Sequence, residues 1–173
     1  MRYTYCPDCG AKLVFRPIGD DGPTPYCPRC ERPWFDGFPS CVLVLVHDGA
    51  GGILLLQEDY ISTRYKNLVS GYIKPGERGE EAALREVREE TGLTCRDVRI
   101  VGTWWFPEKG LLMIGFLARA ESRDLVLSGE VDGAAWTDAR KALSLVAPRG
   151  PENATHYVVE AYLAAFPEKE EKR

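Results

Sequence analysis

The stretch GYIKPGERGEEAALREVREETGL, residues 71–93, is the most informative part of the sequence. Its second half is rich in Glu, Ala, Leu and Arg, which are residues that favour helix formation. Gly92 follows this segment and is the residue type that most often ends a helix. The composition therefore predicts a helix over 79–91, preceded by a glycine-containing loop.

Three acidic residues of this helix, Glu86, Glu89 and Glu90, are spaced so that their carboxylates project from one helical face. Like charges at this spacing destabilise an isolated helix, so something must compensate them. A hard divalent cation is one candidate, and Mg2+ is favoured because a few carboxylates hold it while water and substrate phosphate complete its coordination. A solvated acidic helix face is the alternative, and the three carboxylates alone do not decide between the two.

The loop before the helix contains residues that suit a close approach to a ligand. Gly71 and Gly76 allow the backbone to turn sharply and to approach a bound group closely. We expect Arg85 to pair with Glu77 and to brace the loop against the helix.

The full spacing, G-x5-E-x7-R-E-U-x-E-E-x-G-U, where U is apolar, resembles the signature of the Nudix hydrolase family at every position. This resemblance implies an α/β (α+β) fold, an α/β/α sandwich with a mixed sheet. It also implies binding of Mg2+ or Mn2+ and hydrolysis of a nucleoside diphosphate linked to another group. Metal there would polarise the phosphate and lower the pKa of a bound water.

The same resemblance assigns roles to residues of this sequence. Glu86 and Glu90 are implied as principal metal ligands, and Glu89 as a further ligand or as an aid to deprotonating the attacking water. Family members often add one acidic residue from a later loop. Glu130 is the first candidate for that residue and Asp132 is its rival, although either could be a simple turn residue. Gly71, Glu77 and Arg85 are implied as structural support.

The remaining pattern indicates strands with few helices, in mixed order, which is typical of a layered α+β or α/β domain. The secondary structure of residues 60–69 is ambiguous, and we expect part of this segment to be loop. The last helix is expected to bury Tyr157, Ala161, Ala164 and Ala165. Strands are expected at 41–47, 53–57, 98–106, 111–120 and 134–137, a hairpin turn at 48–52, a short helix after Asp138, and a final helix over 152–166.

Four cysteines form two Cys-x-x-Cys pairs, Cys6 with Cys9 and Cys27 with Cys30, separated by 17 residues. Tetrathiolate zinc sites have about 15 to 20 residues between such pairs. Because four protein ligands fill a tetrahedral coordination shell, we expect a structural Zn2+ rather than a catalytic one. Two disulfides are the alternative, which fits poorly with a sequence that lacks an export signal.

These observations predict a small zinc ribbon at 1–36, a Nudix hydrolase domain at 37–167 and a disordered charged tail at 168–173. The net charge of −4 argues against broad electrostatic attachment to nucleic acid or anionic membranes. The longest apolar run, 111–118, is shorter than the ~18 residues of a membrane helix. No secretory signal is visible, so we expect a cytoplasmic protein without membrane partners.

A Nudix domain that follows a four-cysteine ribbon resembles the NADH pyrophosphatase branch, whose members cleave NAD(H) to nicotinamide mononucleotide and AMP. Some relatives also remove NAD-type caps from RNA, which is the one nucleic-acid substrate we expect. Relatives are commonly dimers, so a homodimer is a further expectation.

The specificity motif of that branch, Ser-Gln-Pro-Trp-Pro-Phe-Pro-x-Ser, corresponds here to residues 101–109. Trp104, Phe106 and Pro107 fit the motif, whereas its Ser, Gln and remaining Pro positions are replaced. Trp104 and Phe106 are candidates to stack on an adenine or nicotinamide ring, with core packing as an equal alternative. Tyr60 and Tyr65 are candidates to line the pocket, with loop packing as the alternative.

The altered motif keeps other substrates open, namely ADP-ribose, other ADP-linked compounds and nucleotide sugars. A different class of function is a Nudix module that binds a ligand or nucleic acid without turnover. A hydrolase of oxidised nucleoside triphosphates is a third hypothesis, which nothing in the ribbon favours.

Overall fold

The structure, a computed structural model, describes residues 3–150 and 153–167 of the chain. The chain divides into two compact units between Phe38 and Pro39. The tail expected at 168–173 lies outside the described residues. None of the described helices combines the length and apolarity needed to cross a membrane.

The first unit is a small antiparallel sheet of three strands, β1 (Val14–Pro17), β2 (Pro23–Cys27) and β3 (Arg32–Pro33). Its buried apolar cluster consists of Cys6, Leu13 and Cys27, and Thr24 and Pro25 of β2 are buried as well. A core of this size contributes little to stability, and domains with such cores commonly depend on disulfides or a structural metal.

The second unit carries a larger mixed sheet, as the sequence predicted, with helices on both faces. Strand β4 is at its centre and pairs in parallel with β9 and antiparallel with β7 and with the start of β5. The other pairings are antiparallel, and the main path runs β10-β5-β4-β9-β8, with β6 beside β5. The elements are β4 (Ser40–His47), β5 (Gly52–Glu58), β6 (Ser62–Asn67), β7 (Val69–Tyr72), α1 (Gly79–Thr91), β8 (Cys95–Phe106), β9 (Leu111–Ala120), β10 (Gly133–Asp138), α2 (Ala139–Ala142) and α3 (Ala154–Ala165).

The two faces of β4 belong to two different core layers because successive side chains of a strand point to opposite sides. Val42, Val44 and Val46 pack in the layer that contains Val87 of α1. Leu43 and Leu45 pack in the layer that contains α2 and α3. This arrangement places α1 on one face of the sheet and explains why β4 reads as an unbroken apolar run.

The predicted helix over 79–91 is confirmed, and Gly92 ends it with a φ of 72°. The hairpin between β4 and β5 is also confirmed. The ambiguous segment 60–69 contains β6 and the first residue of β7.

The expected buried face of the last helix is wrong. Helix α3 buries Ala154, Val158, Val159 and Tyr162, whereas Ala164 and Ala165 are exposed. The spacing of 154, 158 and 162 is one residue every turn, so these side chains form a single stripe. The branched and aromatic residues of that stripe bury more apolar area than alanines do, which determines the orientation of the helix.

Candidate active site

Glu86 lies directly against the backbone of β7. A Cβ added to Gly71 would be only 2.1 Å from Cδ and Oε1 of Glu86. No side chain other than hydrogen therefore fits at Gly71 while Glu86 keeps its position. Gly76 has the role of a turn residue, because its φ of 84° lies in the left-handed region.

Arg85 connects the loop before α1 with two carboxylates of the helix, and its predicted pairing with Glu77 is present. Its Nε and one terminal nitrogen donate to the two oxygens of Glu77 at 2.7 and 2.9 Å. The other terminal nitrogen donates to Glu86 at 2.6 Å and to Glu89 at 3.0 Å. A hydrogen bond of 3.0 Å to the carbonyl of Tyr72 completes the set.

This network explains part of the charge balance on α1. Hydrogen bonds from the Arg85 guanidinium and from the backbone of Lys74 lower the pKa of Glu77 to about 2. Lys74 lies 3.8 Å from the Glu89 carboxylate, and Arg85 serves Glu86 and Glu89. Two of the three helix carboxylates are thus partly compensated by cations of the protein itself.

Glu90 is the carboxylate that lacks such a partner. It is 6% exposed, and its Oε2 atom has no hydrogen-bond partner among the described residues. Burial, together with the negative charges of Glu58, Glu86 and Glu130, raises the pKa of Glu90 to about 8. A hydrogen bond from the backbone of Ser70 partly offsets this rise by lowering the pKa. An unpaired buried carboxylate is costly, so this position favours either a proton or a bound cation.

Glu58 is a fifth acidic residue near this cluster, and it was not among the residues predicted from the sequence. It ends β5 on the same face as Leu54 and Leu56, which pack in the layer under α1. Burial raises its pKa, the Tyr60 hydroxyl and the Asn67 side chain lower it, and Asp132 and Glu130 raise it further. The alternation of β5 could have revealed it, since a glutamate occupies the next buried position after two leucines.

Glu130 and Asp132, the two candidates for the later acidic residue, have different surroundings. Glu130 lines the cavity that contains the helix carboxylates. Asp132 accepts a hydrogen bond of 2.7 Å from the backbone N–H of Asp59. The backbone N–H of Ser128 bonds the carbonyl of Glu90 at 3.1 Å, which holds the Glu130 loop at the end of α1.

The cavity has a volume of about 960 Å3, which is the size of a small-molecule site. The acidic residues Glu86, Glu89, Glu90 and Glu130 and the cations Lys74, Arg85 and Lys109 contribute to its wall. Its aromatic residues are Tyr60, Tyr65, Tyr72 and Phe106.

The two aromatic candidates of strand β8 are separated by the fold. Phe106 lines the cavity, and the ammonium group of Lys109 lies 5.8 Å from the centre of its ring. Trp104 packs against the core layer under α3, where its ring stacks on that of Tyr157 with 6.1 Å between the ring centres. Trp104 therefore packs in the core, as the alternative interpretation of its sequence position held, whereas Phe106 is available to a ligand.

The acidic end of the cavity fits a hard divalent cation. Glu86, Glu89, Glu90 and Glu130 supply carboxylate oxygens, which are the ligands that Mg2+ and Mn2+ prefer. A cation near Glu90 Oε2 would also give that buried oxygen the partner it lacks.

The four cysteines of the first unit come together as the spacing predicted. Their four Sγ atoms, from Cys6, Cys9, Cys27 and Cys30, all lie within 4.8 Å of one another. The Sγ–Sγ distances are 3.9 Å for Cys6 and Cys30 and 3.6 Å for Cys9 and Cys27. Zn–S bonds of about 2.3 Å in a tetrahedron place sulfurs about 3.8 Å apart, so this donor set fits Zn2+.

Comparisons with known proteins identify relatives of this chain. Proteins named NAD-capped RNA hydrolase NudC are similar to this chain. The protein from Mycobacterium tuberculosis H37Rv is 38% identical over 104 residues, which are 59% of this chain and 33% of that protein. The protein from Photobacterium profundum is 30% identical over 150 residues, 85% of this chain and 54% of that protein. The chain thus spans from about a third to about half of the length of these relatives.

Solved structures share the fold. A NUDIX hydrolase from Nitrosomonas europaea superposes with a TM-score of 0.68 at 18% identity, covering 96% of this chain and 94% of that one. An ADP-ribose pyrophosphatase from Streptococcus suis superposes with a TM-score of 0.60 at 16% identity, covering 78% and 96%. The sequence pattern of the NUDIX domain matches residues 37–159, which is well over half of the chain. This chain therefore belongs to the NUDIX domain family.

Proposed function

We propose that this chain is a divalent-metal-dependent hydrolase that cleaves the diphosphate linkage of NAD(H) or a related ADP-linked compound to mononucleotides. The observation that carries the proposal is that Glu86, Glu89, Glu90 and Glu130 all line one aromatic-lined cavity, in which the charges of Glu86 and Glu130 act on the buried Glu90. The relatives named NAD-capped RNA hydrolase support NAD-containing substrates, and an NAD cap on RNA belongs to the same chemical class.

In this proposal Glu86, Glu90 and Glu130 hold Mg2+ or Mn2+. Glu89, whose side chain is 53% exposed, serves as a further ligand or assists deprotonation of the attacking water. When bound, the metal supplies charge neutralisation at the diphosphate and lowers the pKa of a coordinated water. Arg85 orients Glu86 and Glu89 through its two hydrogen bonds, and Gly71 allows Glu86 to stand close to β7.

The rest of the cavity binds the organic parts of the substrate. Phe106 and Tyr72 offer aromatic faces on which a base or a nicotinamide ring can stack. Lys74 and Lys109 offer positive charge to phosphate groups beside the acidic end. Lys109 also makes this region unfavourable for the positively charged ring of NAD+ compared with the neutral ring of NADH.

We further propose that Cys6, Cys9, Cys27 and Cys30 hold a structural Zn2+ that folds the ribbon at 1–36. The domain at 37–167 then carries the catalytic residues, and the zinc has no step in the reaction.

Product analysis tests the proposal. The wild type and Glu90→Gln are incubated with Mg2+ or Mn2+ and with NADH, NAD+, ADP-ribose, diadenosine polyphosphates and an NAD-capped RNA. We expect AMP and nicotinamide mononucleotide from NADH, and a loss of at least about 100-fold in Glu90→Gln. Glu80→Gln is the matched control, because Glu80 is exposed in the first turn of the same helix.

The second candidate function is an ADP-ribose or nucleotide-sugar diphosphatase. The segment 101–109 favours it, since the Ser, Gln and remaining Pro positions of the NADH pyrophosphatase motif are replaced there. A higher kcat/KM for ADP-ribose than for NADH and NAD+ would select this function. Binding of these compounds without turnover of any of them would instead select a non-catalytic module.

A further inference from the structure

Glu58 is a buried acidic residue that the proposed chemistry does not use. It is 1% exposed, although glutamate is almost never fully buried without a partner. Its Oε1 atom accepts a hydrogen bond of 2.9 Å from the Tyr60 hydroxyl. Its Oε2 atom has no hydrogen-bond partner among the described residues. The hydrogen bond from Tyr60 therefore offsets part of the free-energy cost of burying this carboxyl group.

Tyr60 has the opposite character, because it is 73% exposed and lines the cavity beside Glu130. Its hydroxyl points inward to Glu58, so the aromatic ring, not the polar end, is what it offers to solvent. An exposed tyrosine normally samples several rotamers, whereas a hydrogen bond to a fixed carboxyl group restricts this one. A ring that is already ordered loses less entropy when it contacts a ligand.

The turn that carries Tyr60 is also fixed by backbone contacts. The N–H of Ile61 bonds the carbonyl of Glu58 at 2.9 Å. The N–H of Asp59 bonds the carboxylate of Asp132 at 2.7 Å, which connects this turn to the loop of Glu130. The tyrosine ring is therefore held at a defined place next to the acidic end of the cavity.

We propose that Tyr60 contacts the substrate through its ring, stacking on the base or nicotinamide of one mononucleotide half, and that Glu58 is the positioning residue that holds this ring. The inference rests on the proposed function, in that a nucleotide occupies the cavity. Stacking suits this role because every base presents an aromatic face, and the ring needs no further polar group.

Kinetics of Tyr60 and Glu58 variants test the inference with NADH and ADP-ribose as substrates. Tyr60→Leu removes the ring, and we expect KM to rise about tenfold while kcat changes less than about twofold. Tyr60→Phe keeps the ring but loses its hydrogen bond, and an increase in KM of about threefold is expected. Glu58→Gln keeps an oxygen that can accept from Tyr60, so KM should stay within about twofold of wild type. Tyr5→Leu removes another exposed tyrosine, which does not line the cavity, and is the control.

Binding measurements separate this inference from the proposed function. AMP and nicotinamide mononucleotide contain no diphosphate linkage, so calorimetry with each of them reports binding without turnover. Tyr60→Leu is expected to weaken binding of one of the two about tenfold and to leave the other unchanged. If the wild type binds them but hydrolyses no dinucleotide, the proposed function fails. The comparison of mononucleotide binding by the wild type and Tyr60→Leu then still tests whether the Tyr60 ring contacts a nucleotide.

Three results would overturn the inference. The first is an unchanged KM and unchanged mononucleotide binding in Tyr60→Leu. The second is a fall in kcat of tenfold or more in Glu58→Gln, with a shifted Mg2+ titration, because Glu58 would then belong to the metal site. The third is a wild type that binds neither mononucleotide. Thermal unfolding of each variant verifies that the comparison is made between folded proteins.

Discussion

The carboxylate of Glu86 occupies the space that a side chain at position 71 would need, with Cδ only 2.1 Å from where a Cβ of Gly71 would stand. The glycine of β7 and the glutamate of α1 are therefore one steric unit, although 14 positions separate them in the sequence. The glycine is required by the side chain across from it and not by its own backbone angles, because its φ is not in the left-handed region.

Gly71→Ala is expected to reduce kcat/KM at least about 100-fold, because the new methyl group displaces Glu86 from the cation site that we propose. The fold should persist, since the displaced group is the flexible end of a side chain. Steady-state kinetics with a Mg2+ titration and thermal unfolding provide the measurement. Gly133→Ala is the matched control, because a Cβ there would meet only Gln57 Cβ at 3.8 Å. Wild-type activity in Gly71→Ala would contradict the steric argument.

Arg85→Lys is expected to lower both activity and stability. A lysine has one ammonium group and cannot contact both oxygens of Glu77 while reaching Glu86, Glu89 and the Tyr72 carbonyl. We expect kcat to fall about tenfold or more and the unfolding midpoint to fall by several degrees, measured by kinetics and by thermal denaturation. Arg88→Lys on the exposed side of the same helix should change neither quantity.

The stability of the protein without added Mg2+ or Mn2+ is expected to fall as pH rises from about 5 to 8. Burial raises the folded-state pKa of Glu90 to about 8, above its ordinary value, so in this window the folded state binds the proton more tightly than the unfolded state. The contribution is therefore present at low pH and is lost as pH rises through 8.

Urea unfolding of wild type and Glu90→Gln at several pH values measures this effect. Their difference isolates Glu90 from His47, whose burial lowers its pKa and gives a slope of the opposite sign. We expect the wild type to lose at least about 1 kcal/mol relative to the variant across the window. Added Mg2+ should stabilise the wild type most at the upper end. A pH-independent difference would show that Glu90 keeps its charge when the protein folds.

Local spacing predicted the parts of the site that lie on one segment of chain. The helix over 79–91, the contact of Arg85 with Glu77 and the tight turn of each Cys-x-x-Cys pair follow from positions close in sequence, and the 17 residues between the two pairs are a characteristic spacing of their own. Such features depend on helix geometry and on tight turns, which the residues themselves determine.

Features that depend on long-range packing could not be predicted in this way. Trp104 and Phe106 share one face of β8, and they differ because α3 packs over Trp104, whereas Phe106 ends the strand beside the cavity. The sequence of β8 does not contain the position of α3 along the strand. The burial of Glu58 likewise follows from the position of β5 between two core layers, which cover both of its faces. The alternation of Leu54, Leu56 and Glu58 was a usable signal, but a charged residue at a strand end more often reads as a turn.

Removal of one cysteine tests the zinc proposal. Purified wild type is expected to contain about one Zn2+ per chain by elemental analysis, and Cys27→Ser should lose it, because the remaining three thiolates leave the tetrahedron open. Cys95→Ser is the control, since Cys95 packs beside the core of the other unit. Stoichiometric zinc in Cys27→Ser, or none in wild type, would contradict the assignment of the cluster as a zinc site.

The different surroundings of Glu130 and Asp132 predict that neutralising one or the other affects kcat and metal activation differently. Glu130 faces the cavity, so Glu130→Gln should lower kcat about 10- to 100-fold and weaken activation by Mg2+ or Mn2+, with little change in the unfolding midpoint. Asp132 accepts the N–H of Asp59, so Asp132→Asn should preserve most of the activity and mainly loosen the turn that carries Tyr60. Metal-activation curves and thermal unfolding of both variants, measured side by side, test this contrast. If Asp132→Asn were the variant that lost metal activation, the later acidic ligand would be Asp132.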